Sequence, residues 1–119
     1  MKVVELAFCC YPVTDMARSR AFYEGVLGLK PVTVMEGTWV EYEFGPYALA
    51  IGCAPGMFVP SPDGPAAALE VEDFDAAIKE LKDNKVKFRM EPADYPVCRM
   101  AMVFDPDGNT LCIHKRNAQ

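Results

Sequence analysis

The stretch PVTDMARSRAFYEGVLGLKP, residues 12–31, decides the fold, because its pattern returns in shorter form as EVEDFDAAIKELKDNKVKF at residues 70–88. In each stretch β-prone residues lead to an aspartate, and apolar residues then recur at the three- and four-residue spacing typical of a helix. Asp15 and Asp73 stand where N-cap residues are expected. The pattern predicts helices over residues 16–27 and 74–82, and Gly28 is expected to end the first of them.

Strand-like segments surround both predicted helices, so each half reads β-α-β-β-β. The fold class is therefore α+β, with two βαβββ modules forming a curved mixed sheet around a cleft. We expect a single domain over residues 1–119, made of modules 1–53 and 65–116 and joined by a Pro/Gly-rich crossover at residues 54–64. The predicted strands are residues 3–11, 31–35, 38–44 and 47–53 in the first half, and 66–71, 86–90, 97–104 and 110–115 in the second.

Length, charge and cysteine usage narrow the class of protein. A chain of 119 residues is enough for one domain. The net charge of −5 argues against nucleic acid and anionic membranes as partners, since both attract cationic surfaces. We expect the apolar stretch at residues 1–13 to be a strand rather than an export signal, and no apolar run approaches the ~18 residues needed to span a bilayer. Five cysteines without a CxxC pair indicate packed thiols in a reducing compartment, so we expect a cytoplasmic protein.

Three segments carry a family resemblance: VTDMARSRAFYEGVLGLKP (residues 13–31), LEVEDFDAAIKEL (69–81) and FDPDGNTLCIH (104–114). In this order and at this separation they resemble the vicinal oxygen chelate superfamily, which includes glyoxalase I, extradiol dioxygenases and bleomycin-resistance proteins. The resemblance covers nearly the whole chain. It implies two βαβββ modules, paired within one chain or across a dimer, around a cup open on one side. Metal-using members hold a divalent ion in this cup with two histidines and two glutamates.

The chain departs from that family pattern at all four ligand places. Carried over position by position, those places hold Phe8, Ala50, Ala66 and Cys112. A catalytic divalent ion needs about three protein ligands with suitable donor atoms, and one cysteine does not supply them. The resemblance therefore implies a member with no metal at the usual site, and we expect no other cofactor.

Strand alternation, anchored on the four ligand places, assigns side chains to the cleft. The opposite parity, which includes Val40, Tyr42, Leu49 and Ile51, is uniformly apolar and suits packing on the helices. A slip of one residue would exchange the two faces. The predicted ligand-binding residues are Phe8, Cys10, Trp39, Glu41, Glu43, Ala50, Ala66, Arg89, Met100, Met102, Cys112 and His114, and Ala68, Glu70 and Phe104 share their parity.

This set of side chains predicts a pocket for a partly apolar small molecule that carries a polar or cationic group. Trp39 offers a flat stacking surface, and Glu41 or Glu43 offers a countercharge. The first hypothesis is thus a metal-independent small-molecule-binding protein of the glyoxalase/bleomycin-resistance type. We also expect a homodimer, because two four-stranded sheets with one helix each leave apolar surface to cover.

Two alternatives stay open at this point. One is a glyoxalase- or dioxygenase-like enzyme with a relocated metal, or with acid–base chemistry by His114 and Glu41 or Glu43, because imidazole exchanges protons near neutral pH. The other is an interaction module whose cleft is filled by aromatic side chains. Each candidate also has a structural interpretation: His114 as a partly exposed strand residue, the thiols and methionines as packing groups, and Trp39 as part of a dimer interface.

Overall fold

The structure, a computed structural model, describes residues 1–118 and contains two four-stranded sheets. Each sheet is mixed, with one parallel pair of strands. The predicted fold class, two βαβββ modules, is confirmed. The elements are β1 (Cys9–Pro12), α1 (Met16–Arg20), a π-helical segment (Ala21–Val26), β2 (Pro31–Met35), β3 (Trp39–Phe44), β4 (Tyr47–Gly52), β5 (Ala67–Glu70), α2 (Phe74–Asp83), β6 (Phe88–Asp94), β7 (Cys98–Phe104) and β8 (Thr110–Arg116). The strand orders of the two sheets are β1-β4-β3-β2 and β5-β8-β7-β6.

The chain divides into two compact units, with the boundary between Pro60 and Ser61. This boundary falls inside the predicted crossover at residues 54–64. Unit 1 contains the elements from β1 to β4, and unit 2 contains those from β5 to β8. That the two modules make a single domain stays a prediction. None of the helices within residues 1–118 is long and apolar enough to cross a membrane.

The helix of unit 1 begins and ends where the sequence predicts. The Asp15 carboxylate accepts a hydrogen bond from the Arg18 backbone N–H at 3.0 Å, which satisfies one of the orphan donors at the helix start. After Arg20 the helix widens into the π-helical segment, and the Leu27 N–H bonds the Phe22 carbonyl at 3.0 Å. Gly28 follows with φ of 74°, a left-handed conformation that glycine adopts without strain.

One face of the unit 1 sheet is covered by this helix. Tyr23 of the π-helical segment stacks on Tyr42 of β3 with ring centroids 6.1 Å apart, and both side chains are fully buried. Val40 and Ile51 lie on the same face and are also fully buried, as their parity predicts. The Tyr42 hydroxyl donates to the Glu24 carboxylate at 3.0 Å, so the buried phenol keeps a hydrogen-bond partner.

The helix of unit 2 covers its sheet in the same manner. Asp73 caps α2 by accepting from the Ala76 N–H at 3.0 Å, and Phe74 and Leu81 bury the apolar side of the helix. The Arg99 guanidinium lies over the Phe74 ring at 4.6 Å from its centroid. The middle of the sheet face toward the helix is apolar, since Ala101, Val103, Leu111 and Ile113 are all buried.

A buried polar turn joins β7 to β8. Asp105 accepts from the backbone N–H groups of Asp107 and Asn109 at 2.9 Å each, and from the Asn109 side-chain amide at 2.9 Å. The Asn109 side-chain oxygen in turn accepts from the Ser61 N–H at 3.1 Å. This turn therefore also holds the start of unit 2 in place.

Two predicted strands were wrong in extent. The first was expected over residues 3–11, but β1 is Cys9–Pro12, and residues 1–8 are exposed and outside any strand. The reason is the length of the partner: Cys9 pairs with Leu49, and β4 begins at Tyr47, so most of the segment runs past its end. The strand expected over residues 86–90 is β6, Phe88–Asp94, which continues through register shifts that sequence alternation does not reveal.

Candidate functional site

The predicted site residues of unit 1 lie on the face of the sheet opposite the helix, called here the non-helical face of unit 1. Cys10 pairs with Ala50, and Ala50 pairs with Glu41, which places the three side chains in one cross-strand row. Trp39 pairs with Gly52 in the next row. Trp39 and Glu41 are half-buried, whereas Ala50 is fully buried. The register therefore brings the tryptophan, a carboxylate and a thiol together.

Gly52 makes room for the indole of Trp39. A Cβ atom at position 52 would lie 3.1 Å from Cε3 and from Cζ3 of Trp39, and 3.2 Å from the Cys10 sulfur. The Phe8 ring meets the indole edge-on, with centroids 5.1 Å apart and an interplanar angle of 80°. The absent side chain of Gly52 and the Phe8 ring together set the position of the indole.

Glu41 fixes the other edge of the indole. Trp39 Nε1 donates to Glu41 Oε2 at 2.7 Å, a short bond of the charge-assisted kind. A carboxylate accepts several hydrogen bonds, so this one leaves Glu41 with capacity for a ligand. Glu43, two residues further along β3, shares this face but is exposed. The two glutamates have the same strand parity, but Glu41 is half-buried beside the indole and Glu43 is exposed to solvent.

Burial favours the protonated, unreactive form of the cysteines on these faces. Burial raises the pKa of Cys10 to about 11, with a smaller contribution from Cys9. Burial also raises the pKa of Cys112, again with a smaller contribution from a neighbouring thiol, that of Cys98. Thiols of this kind stay protonated at neutral pH, and the thiolate is the reactive form. Their structural interpretation is the one that the geometry supports.

Unit 2 has a corresponding non-helical face. Ala68, Cys112 and Met102 form one cross-strand row of β5, β8 and β7, and Glu70, His114 and Met100 form the next row. The two methionines are half-buried and Cys112 is buried. The face therefore combines soft apolar side chains with one histidine and one carboxylate.

His114 is hydrogen-bonded to Glu70. Its Nδ1 lies 2.6 Å from Glu70 Oε1, and the Arg116 backbone N–H donates to the other carboxylate oxygen at 2.7 Å. The Arg116 N–H, and after it His114, hold the pKa of Glu70 below its ordinary value. Strand alternation predicts the correct face for Glu70 but no role, because alternation assigns a side chain to a face and does not identify its neighbours. The parallel register of β5 and β8, which pairs Glu70 with His114, supplies the missing information.

The remaining predicted residues of unit 2 lie outside these rows. Ala66 precedes β5 and is exposed. The Arg89 guanidinium bonds the Pro62 carbonyl, the Thr110 hydroxyl at 3.0 Å and the Asp63 carboxylate at 3.1 Å. These contacts attach the beginning of unit 2 to the sheet, so the observed partners of Arg89 are structural ones.

The side chains at the four family ligand places do not fit a divalent metal. Phe8, Ala50 and Ala66 carry no donor atom, and Cys112 is a buried thiol with a raised pKa. Across residues 1–118, no three histidine, cysteine, aspartate or glutamate side chains are grouped closely enough to hold a metal ion. The predicted lack of ligands at the family site is consistent with both observations.

Comparison with known proteins identifies the class. The sequence profile of the Glyoxalase/Bleomycin resistance protein/Dioxygenase superfamily matches residues 5–113. The chain belongs to this superfamily, as the three sequence segments indicated. A comparison with curated proteins found no match.

Solved structures share the fold at low sequence identity. A glyoxalase/dioxygenase from Nostoc punctiforme is 22% identical with a TM-score of 0.80, over 96% of this chain and 92% of that one. TnmS3, an antibiotic-binding protein from Streptomyces sp. CB03234, is 24% identical with a TM-score of 0.81, over 98% and 99% of the two chains. The fosfomycin resistance protein FosX from Mesorhizobium loti is 18% identical with a TM-score of 0.72, over 96% and 93%.

Proposed function

We propose that the protein is a metal-independent small-molecule-binding protein whose ligand is partly apolar and carries a cationic group. The observation that carries the proposal is the Trp39–Glu41 pair, an aromatic ring fixed by a carboxylate at 2.7 Å on the non-helical face of unit 1. An aromatic surface attracts a cation over its face, and a neighbouring carboxylate adds a countercharge.

The surroundings of Trp39 suit a binding surface better than a packed core. Phe8 is 43% exposed although it contacts the indole edge, and Trp39 itself is only half-buried. An aromatic pair that retains accessible surface beside a carboxylate has the composition of a small-molecule site, where a few polar groups orient an apolar ligand. The ring is held on two sides before a ligand arrives, which lowers the entropy that binding must lose.

The class of relatives is consistent with this role. The superfamily includes bleomycin-resistance proteins, and the structural neighbours include an antibiotic-binding protein and a fosfomycin resistance protein. The four family ligand places lack a donor set for a divalent ion, so the proposal involves binding without metal chemistry. The net charge of −5 favours cationic small molecules over nucleic acid or anionic membrane. We place the protein in the cytoplasm, as the cysteine usage predicts.

The proposal includes a homodimer, because residues 1–8 expose apolar side chains. Val3, Val4 and Leu6 are 78%, 80% and 85% exposed. Contiguous apolar exposure of this kind marks interaction surfaces, and a second copy is the usual partner in symmetric oligomers. Analytical ultracentrifugation should give twice the chain mass of 13.2 kDa at micromolar concentration. A mass equal to that of one chain would contradict this part of the proposal.

Calorimetric titration with benzyltrimethylammonium, an aromatic ammonium ion, tests the binding site. Trp39→Ala should weaken binding about 2- to 30-fold, which corresponds to ~0.5–2 kcal/mol for a cation–π contact. Trp39→Phe should retain part of the affinity, and Glu41→Gln should weaken binding of the cation. Tyr47→Ala, which removes an aromatic side chain that is 72% exposed on the same sheet, is the matched control. Equal affinity of wild type and Trp39→Ala, or no binding by the wild type, would overturn the proposal.

A further inference from the structure

We propose that His114, oriented by Glu70, is a proton acceptor for ligands with an acidic O–H group, such as phenols and enols, on the non-helical face of unit 2. This inference goes beyond the binding surface of unit 1 and depends only on residues of unit 2. Glu70 is the positioning residue, and Nε2 of His114 is the atom that receives the proton.

The contact with Glu70 determines which ring nitrogen carries hydrogen. An ionised carboxylate only accepts hydrogen bonds, so the 2.6 Å contact between Glu70 Oε1 and His114 Nδ1 requires a proton on Nδ1. The Arg116 backbone N–H, 2.7 Å from Glu70 Oε2, keeps this carboxylate ionised and in place. In the neutral imidazole the lone pair therefore belongs to Nε2.

Nε2 of His114 is accessible. The only hydrogen bond of the ring within residues 1–118 is the one at Nδ1. No buried side-chain nitrogen or oxygen in the same residues lacks a partner, so Nε2, which has none, must be in contact with solvent. The side chain as a whole retains 23% of its exposure. A ligand on this face thus meets a hydrogen-bond acceptor of known orientation.

Charged groups near the ring come from two strands. From β5 the Glu70 carboxylate faces the ring directly, and from β8 the Arg116 guanidinium lies 3.9 Å from the same carboxylate oxygen. From β7 the cross-strand neighbour is Met100, which carries no charge. The Glu70 carboxylate is thus the charged group in direct contact with the ring, and it supplies a countercharge for the imidazolium that the transfer forms.

The transfer itself needs no further reactant. The ligand O–H bond breaks, an N–H bond forms at Nε2, and the electron pair remains on the ligand oxygen. The product is an imidazolium–oxyanion pair, with the positive charge balanced by both Glu70 and the ligand. Met100 and Met102 provide adaptable apolar surface for the rest of the ligand. The same proton transfer is the first half of an enol–keto exchange. In the second half the proton returns to a carbon atom of the ligand.

Nuclear magnetic resonance tests the geometry directly, because the chain contains a single histidine. In uniformly ¹⁵N-labelled protein above the pH of imidazole protonation, we expect the Nδ1–H tautomer with an unprotonated Nε2. Glu70→Gln should weaken this preference, whereas Glu91→Gln, an exposed strand glutamate bonded to Lys82, should leave it unchanged. An Nε2–H tautomer in the wild type would overturn the inference.

Absorbance titration with 4-nitrophenol tests the transfer. At a pH one unit below the pKa of the free probe, binding to the wild type should increase the phenolate band, and His114→Gln should abolish the increase. Glu70→Gln should reduce the proton-transfer equilibrium about tenfold or more, as expected for loss of a charge-assisted hydrogen bond. Glu91→Gln is the control, and thermal unfolding verifies that each variant is folded. Phenolate formation by His114→Gln equal to that of the wild type, or its absence from the wild type, would refute the proposal.

Discussion

Trp39 and Glu41 stand two residues apart on one strand, and the indole N–H of the first donates to the carboxylate of the second at 2.7 Å. Residues i and i+2 of a strand share a face, so the sequence predicts their common side but not the bond. The bond distinguishes Glu41 from Glu43, which has the same parity and is exposed. It also immobilises the only tryptophan of the chain, whose fluorescence therefore reports on this site alone.

We expect Glu41→Ala to loosen the indole. Without the carboxylate, Trp39 Nε1 loses a charge-assisted partner and the ring samples more orientations, so acrylamide should quench its fluorescence more efficiently than in the wild type. The matched variant Glu43→Ala removes a carboxylate from the same face of the same strand and should leave the quenching constant unchanged. Equal effects of both substitutions would show that Glu41 does not fix the ring.

Gly52→Ala should destabilise unit 1 by about 1–3 kcal/mol, the usual cost of overpacking. The new methyl group would stand 3.1 Å from two carbon atoms of Trp39 and 3.2 Å from the Cys10 sulfur, closer than ordinary contacts. Chemical denaturation followed by circular dichroism measures the free energy of unfolding, and the emission maximum of Trp39 should shift because the ring is displaced.

Gly25→Ala is the matched glycine substitution. Gly25 lies in the π-helical segment with a negative φ, and a Cβ there meets nothing within 4 Å. Alanine should therefore be neutral or stabilise the protein by up to about 1 kcal/mol, since it restricts the unfolded chain. Gly52→Ala is thus predicted to lower the free energy of unfolding, whereas Gly25→Ala is predicted to leave it unchanged or raise it. A loss of stability at Gly25 that equals the loss at Gly52 would contradict the assignment of the Gly52 effect to Trp39.

The sequence predicted the fold well because the deciding signals are local. Asp15 and Asp73 cap their helices, and Gly28 ends the first one, through bonds and backbone angles within a few residues. The apolar parity of each strand likewise identifies the face that packs on a helix. Such features depend on neighbouring residues and on the periods of helix and strand.

The site was less predictable, because its contacts join distant parts of the chain. The bond between Glu70 and His114 depends on the register of two parallel strands that are 44 residues apart in sequence. Residues 1–8 are apolar enough for a strand, but β4 is too short to pair with them. Partner length and register are properties of the assembled sheet, and a single strand pattern does not contain them.

Asn109→Ala should destabilise unit 2 by about 1–3 kcal/mol. Asn109 is 2% exposed; its amide donates to Asp105 Oδ2 at 2.9 Å and its oxygen accepts from the Ser61 N–H at 3.1 Å. Removal of the side chain takes one hydrogen-bond partner from the buried Asp105 carboxylate and one from the Ser61 N–H, which destabilises the folded state. Asn117→Ala, at an exposed asparagine with two longer contacts of 3.3 Å, is the control and should change the unfolding free energy by less than about 0.5 kcal/mol. Equal effects in denaturant titrations would contradict the role of the turn.

The contribution of Glu70 to stability should depend on pH in one direction. The Arg116 N–H, and after it His114, hold the pKa of folded Glu70 below its ordinary value of 4.5. A carboxyl whose pKa is lower in the folded state stabilises the protein above the unfolded value, and this contribution disappears as the pH falls through the folded value. The wild type should therefore exceed Glu70→Gln in unfolding free energy at about pH 7, and the difference should shrink as the pH falls below 4.5 and through the lowered pKa of the folded carboxyl. Because the Glu70 side chain is 36% exposed, solvent screening keeps the difference small, and paired denaturation curves at neutral and acidic pH are needed to resolve it. If the difference in unfolding free energy stays constant or grows on acidification, the ionised Glu70 carboxylate does not stabilise the folded protein.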